Sequence, residues 1–302
     1  MAIIEVNDLV KRYGSHTAVN GVSFAVEQGE IFGILGPNGA GKTTTVECIE
    51  GLRSPDGGSI RVGGLDPRRD TSELRELLGA QLQESELPDK LKVSEAMELY
   101  SSFYRAPADW RELIDTLNLT DKLDTRYKKL SGGQKQRLSI ALALVGNPRV
   151  AVLDELTTGL DPQARRDAWD LIEGIRDRGV TILLVTHFME EAERLCDRLA
   201  VVDKGRIVAT DTPAGLVAKV DDRQRLRFRP SAPIDHALLT ALPEVASVER
   251  AGSQLVVTGT GNLLLAVTTT LARHQVVAGD LRLEQTSLDD AFVALTGRTI
   301  DS

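Results

Sequence analysis

The chain has 302 residues, 42% of them hydrophobic and 26% charged, with a formal net charge of −8. That length suits two domains better than one, and the balance is that of a globular chain rather than a disordered or fibrous one. The acidic excess argues against a protein built to grip nucleic acid, and without 18 consecutive apolar residues no membrane span is expected.

The N-terminus, Met1-Ala2-Ile3-Ile4-Glu5-Val6, lacks a basic stretch followed by an apolar core, so no signal peptide is expected. The first clear element is a buried-type strand over 31–35, which runs straight into Gly36-Pro37-Asn38-Gly39-Ala40-Gly41-Lys42-Thr43. A helix is predicted from 42 to 50, with Val46 and Ile49 three apart on one face. Residues 83–129 read as mostly helical, with periodic apolar positions over 87–104 and 110–119. They are expected to lie in a helical subdomain inserted at about 83–148. A second buried strand over 150–153 ends in Asp154-Glu155, and a third over 180–185 ends at Thr186-His187. Three apolar strands that each stop at polar residues place those residues along one sheet edge, where open α/β sheets bind ligands. Cys48 and Cys196 sit singly in predicted helices, which fits a reducing compartment and neither a disulfide nor a metal site.

The α/β domain is expected to span 1–215 and an accessory domain 216–302. In the latter, 225–229 alternates like an edge strand and 234–242 is helix-like. Strands are predicted at 245–250 and 254–258, a helix at 262–274, alternation again at 280–285, and a closing helix at 287–295. The order β-α-β-β-α-β suggests a small ferredoxin-like α+β fold.

The loop 36–43 satisfies G-x-x-x-x-G-K-[ST] between a strand and a helix. Its glycines let backbone N–H groups converge on phosphates, and the helix N-terminus adds its dipole. Lys42 would reach the β- and γ-phosphates and Thr43 would bind Mg²⁺, with Thr44 beside them among the nucleotide-binding residues. A second glycine-rich cradle, Leu130-Ser131-Gly132-Gly133-Gln134, reads at its plainest as a helix start capped by Ser131. Two adjacent glycines would then weaken the helix that they begin.

That pentapeptide is the signature sequence of the ABC transporter family, and the chain resembles the ATP-binding subunits of that family. The resemblance implies a P-loop NTPase cassette with a mixed-sheet core and a helical subdomain. It implies that Ser131, Gly132, Gly133 and Gln134 contact ATP held by the opposite subunit of a homodimer. It makes Asp154 an Mg²⁺ holder, directly or through water, and Glu155 the group that polarises the attacking water. Leu156 stands where the family usually has proline, a position that shapes the loop without touching phosphate. Gly159-Leu160-Asp161-Pro162 resembles the D-loop, with Asp161 crossing the interface, although Asp-Pro is also a plain helix start. His187 matches the switch histidine. Gln83 matches the glutamine that senses Mg²⁺ and couples to a membrane partner, with Gln81 as the alternative. Tyr13 matches the aromatic that stacks on adenine.

Residues 209–216 and the closing Ser287-Leu288-Asp289-Asp290-Ala291-Phe292 resemble drug and antibiotic exporters of the daunorubicin-resistance type. Such subunits pair with a separate permease, for which the region around 83–105 would be the docking face. The expected location is cytoplasmic, peripheral on the inner face of the cell membrane. The resemblance is specific over 1–215 and rests on the closing pattern alone beyond it. Two alternatives stay open. A soluble ABC ATPase acting on ribosomes or DNA has the acidic balance against it, and a non-hydrolysing regulator has Glu155 and His187 against it.

Overall fold

The computed structural model describes residues 1–81, 87–220 and 223–297. They form two compact units, Met1–Pro213 and Ala214–Gly297.

The first unit opens with β1 (Ala2–Tyr13) and β2 (His16–Glu27), followed by β3 (Ile31–Leu35), α1 (Lys42–Ile49), β4 (Gly57–Val62), α2 (Thr71–Leu77) and β5 (Leu78–Gln81). The helices α3 (Val93–Ser101), α4 (Trp110–Thr116) and α5 (Gly132–Leu144) come next. The chain then alternates through β6 (Val150–Asp154), α6 (Pro162–Asp177), β7 (Thr181–Thr186), α7 (Met189–Leu195), β8 (Arg198–Asp203) and β9 (Arg206–Asp211). One antiparallel sheet has the order β2-β1-β4, and a six-stranded sheet has the order β5-β6-β7-β3-β8-β9. The latter is parallel except for β9, which runs antiparallel to β8. Every residue of β3, β6 and β7 is buried, which is why these strands read as unbroken apolar runs rather than alternating ones. Ile4, Val6 and Leu9 of β1 share one core with Phe32 and Ile34 of β3 and Val46 and Ile49 of α1. The Phe24 and Phe32 rings stack at 5.2 Å across it.

The antiparallel sheet was not anticipated. The β1–β2 ladder shifts register at four places, so no clean period of two survives in the sequence. The helix expected over 87–104 is shorter, because Leu91 N–H bonds the Pro88 carbonyl at 2.9 Å in a turn. The α3 helix starts only after Lys92, whose backbone N–H donates to Glu95 Oε2 at 2.9 Å. The 110–119 segment is helical to Thr116, with Asp109 capping it through Arg111 N–H at 2.8 Å.

The second unit follows α8 (Pro213–Val220) with β10 (Gln224–Pro230), α9 (His236–Thr240), β11 (Val245–Ala251), β12 (Gln254–Gly259), α10 (Leu263–Arg273), β13 (Ala278–Gln285) and α11 (Leu288–Thr296). Its sheet has the order β11-β12-β10-β13 and is antiparallel throughout. Leu226 and Phe228 of β10, Leu255 and Val257 of β12, and Leu263, Val267 and Leu271 of α10 form its core. The expectation of an edge strand at 225–229 is corrected here, because β10 lies inside the sheet between β12 and β13. Alternation reports that one face is wet; it does not report whether both strand edges are paired.

Among the described residues, no helix is long and apolar enough to cross a membrane.

Candidate nucleotide site

The parallel register brings three strand ends to one edge, because Leu35 lies opposite Thr186 and Asp154 opposite Val185. Gly36, the Asp154-Glu155 pair and His187 therefore emerge side by side.

Two glycines in the loop between β3 and α1 are dictated by space. A Cβ on Gly36 would stand 2.3 Å from the Val202 carbonyl oxygen, and one on Gly41 the same distance from that of Ala18. Gly41 also has φ +99°, a conformation that a side chain resists. Asn38 and Gly39 form the exposed crest, while Pro37 and Ala40 are buried beneath.

Lys42, at the first position of α1, is 5% exposed. Its Nζ donates to the Gly36 and Pro37 carbonyls at 2.8 and 3.2 Å and lies 4.0 Å from Glu155 Oε1. Burial pulls its pKa down, and Glu155 and Asp154 oppose that pull. Asp154 is also 5% exposed. Burial pushes its carboxyl up to about 6, with Glu155 adding to the rise, while Lys42 and a hydrogen bond with the Thr43 side chain oppose it. Asp154 Oδ1 is buried with no hydrogen-bond partner. A hard oxygen acceptor left over beside a threonine hydroxyl fits Mg²⁺, which takes one or two protein oxygens and completes its shell with water and phosphate. Among the described residues, no group of three His, Cys, Asp or Glu side chains could hold a metal by itself.

Glu155 departs from the strand at φ +49°, and its N–H donates to the Val185 carbonyl at 2.9 Å. This left-handed turn costs about 1–3 kcal/mol and is met only where surrounding structure enforces it. It directs the carboxylate toward Lys42 and His187, and Oε1 lies 3.1 Å from His187 Nδ1. The pair is mostly buried, so their interaction is weakly screened. Leu156, the residue after this pair, is fully buried.

The ABC transporter family profile matches residues 19–158. A Nod factor export ATP-binding protein I from Paraburkholderia xenovorans is 45% identical over 222 residues, covering 72% of this chain and 73% of that one. The protein of the same name from Ralstonia nicotianae is 37% identical over 98% of this chain and 94% of its own length. The chain belongs to the ATP-binding subunits of ABC transporters. It hydrolyses ATP as members of that family do. A solved structure described as an ATP-binding subunit of an ABC transporter superposes with a TM-score of 0.66 at 29% identity, covering 72% of this chain and 92% of that one.

The remaining residues of the ABC pattern stand on other elements. Ser131 caps α5 in a closed capping box, with Gln134 N–H donating to Ser131 Oγ at 3.3 Å and Ser131 N–H donating to Gln134 Oε1 at 2.9 Å. Gly132 faces open space, and a Cβ on Gly133 would meet only the Ala164 methyl at 3.5 Å. Asp161 caps α6 by accepting from Gln163 and Ala164 N–H, both at 3.0 Å, and these bonds hold its carboxyl below the usual range. Its cap role and an exposed carboxylate thus coexist. Tyr13 is 41% exposed at the β1–β2 turn, with Lys11 Nζ and the Arg53 guanidinium each 5.6 Å from its ring centre. Thr44 is half-buried on α1. Gln83 lies outside the described residues. Gln81, its alternative, is buried at the end of β5 and in register with Leu153, one residue before Asp154.

One acid near the site was missed. Glu50, just past α1, has both carboxylate oxygens buried without hydrogen bonds, and burial, then Asp154 and Glu47, push it up to about 8. Nothing in the sequence singles it out, because a glutamate at a helix end is ordinarily solvated.

Proposed function

We propose that this ATPase drives export of a drug-, antibiotic- or lipid-like substrate through a separate membrane permease. Glu155 is the general base that orients and polarises the attacking water. The observation that carries this assignment is the seating of Glu155 Oε1 between His187 Nδ1 at 3.1 Å and Lys42 Nζ at 4.0 Å. Lys42 neutralises the terminal phosphates, the backbone of Gly36–Thr43 cradles them, and Tyr13 stacks on the base. Asp154 and Thr43 would hold Mg²⁺, with the Gln83 segment completing the set; when bound, the ion supplies charge neutralisation between the phosphates. His187 fixes the Glu155 carboxylate and faces the γ-phosphate.

Ser131, Gly132, Gly133 and Gln134 form an exposed helix start with its own N–H groups, suited to a phosphate brought by another molecule. The subunit therefore works as a two-fold dimer in which each signature, with Asp161, closes the partner's ATP site. Export is supported by the names of the relatives, and 209–216 with the closing helix favour the drug-export branch. Leu99 and Phe103 on the helical segment are 46% and 65% exposed and offer an apolar docking face for the permease, on the inner side of the membrane.

Mixing tests the shared site. Chains with Lys42→Ala and chains with Ser131→Arg, each inactive alone, form a mixed dimer that keeps one intact site and occludes one ATP in a Glu155→Gln background. If the mixture occludes no more ATP than either parent, the site is not shared. Co-purification of the full chain with a polytopic membrane protein, lost on Phe103→Asp, tests the docking face.

A further inference from the structure

Glu191, in the first turn of α7, carries a carboxylate that the hydrolytic site does not use. It has no exposed surface. Burial raises its pKa, while the Thr186, Thr157 and Trp169 side chains and the charge of Arg165 oppose that rise. Trp169 Nε1 of α6 donates to Glu191 Oε1 at 3.2 Å. Glu191 Oε2, Thr157 Oγ1 and Arg165 Nε are buried here too, none in a well-aligned hydrogen bond, so the Thr157 hydroxyl acts on the carboxylate through a looser contact. They are the carboxylate's own second oxygen and two neighbouring donors, in a medium where such groups interact strongly.

The neighbours of this carboxylate belong to three segments. Thr157 is two residues after Glu155. Thr186 immediately precedes His187, and its Oγ1 accepts from Phe188 N–H at 2.9 Å. Arg165 and Trp169 lie on α6, the helix that Asp161 caps, and the Arg165 guanidinium covers the Phe188 ring at 4.8 Å. The Phe188 ring in turn lies 4.1 Å from the His187 ring. The Glu155 turn, the His187 strand end and the Asp161 helix therefore converge on one buried side chain.

We infer that Glu191 is a positioning residue for ATP hydrolysis: its carboxylate holds these three segments in the mutual arrangement that lets Glu155 and His187 meet. It touches no substrate, and the inference rests on Glu155 as the hydrolytic base. The two long, buried side chains of Glu191 and Trp169 give α6 and α7 a polar latch that apolar packing alone would leave free to slide.

The full chain carries the test, read as single-turnover hydrolysis per mole of bound ATP, alongside ATP affinity and melting temperature. Glu191→Gln keeps the shape and one acceptor but replaces the second carboxyl oxygen with an amide that only donates. It should hydrolyse bound ATP at least tenfold more slowly while binding ATP within twofold of wild type. Trp169→Phe, which removes the indole N–H together with part of the buried ring, should show a smaller loss of the same kind, and the double variant should be no slower than Glu191→Gln alone. A Glu191→Gln chain that hydrolyses bound ATP at the wild-type rate overturns the inference, as does additivity in the double variant. If Glu191→Gln does not fold, Trp169→Phe decides alone by the same rate per bound ATP. Glu155→Gln separates the two claims. An active Glu155→Gln chain defeats the site assignment itself, whereas an inactive one beside a fully active Glu191→Gln chain defeats only the role of Glu191.

Discussion

Replacing Asp154 by Asn should stabilise the nucleotide-free protein while abolishing hydrolysis. Burial raises this carboxyl from 3.8 to about 6, so the folded protein carries an ionised group it would rather hold protonated. The sign follows from the raised value. The penalty is absent below the unfolded pKa, grows as pH climbs between the two values, and is complete above the folded one. At pH 7.5 it amounts to about 3 kcal/mol, and at pH 4.5 to about 1 kcal/mol. Asn keeps the size and some of the polarity and never ionises, so it relieves that cost. For a unit of this size each kcal/mol moves the melting temperature by about 2–4 °C, giving a rise of about 6–12 °C at pH 7.5. The gain should shrink to about a third at pH 4.5. Thermal unfolding with a chelator and no nucleotide, at both pH values, measures it. The reasoning fails if Asp154→Asn melts at or below wild type at pH 7.5, or if its gain does not fall at pH 4.5. Adding Mg²⁺ and ATP should reverse the order, because a ligand that needs Asp154 stabilises only the wild-type chain.

Gly41→Ala should abolish ATP binding, since the new methyl would stand 2.3 Å from the Ala18 carbonyl oxygen at φ +99°; equilibrium dialysis with labelled ATP reads this, and normal binding would show that the loop yields at no cost. Tyr13→Ala should weaken ATP binding by about 5- to 150-fold, the equivalent of about 1–3 kcal/mol of aromatic stacking, while Tyr13→Phe stays near wild type; equal losses in both would assign the effect to the hydroxyl instead.

Much of the site was legible because its chemistry is local. A loop proposed to wrap one phosphate chain needs its glycines, at 36, 39 and 41, and its lysine, at 42, to be neighbours in sequence, so spacing alone exposes them as candidates. The pair Asp154-Glu155 and His187 were legible for a different reason: each follows a run of residues buried on both faces, and parallel strands end at a common edge. What stayed hidden is instructive. The β1–β2 hairpin loses its period through register shifts, and β10 looked peripheral because its wet face, bearing Arg225, Arg227 and Arg229, is as polar as any edge strand's. Glu50 and Glu191 gave no signal at all, since an isolated glutamate in a helix is ordinarily solvated.

Sequence by itself determined which residues are the candidates for holding phosphate and that the chain divides into an α/β cassette and a smaller α+β unit, because both follow from short-range spacing and from the period of apolar residues. Only the tertiary structure decided how those groups are charged and aimed. Burial lifts Asp154 to about 6, a left-handed turn swings Glu155 to within 3.1 Å of His187 Nδ1, and a carboxylate from α7 reaches the indole of α6. Those are properties of desolvation and of contacts between residues far apart in the chain, and no local pattern encodes them.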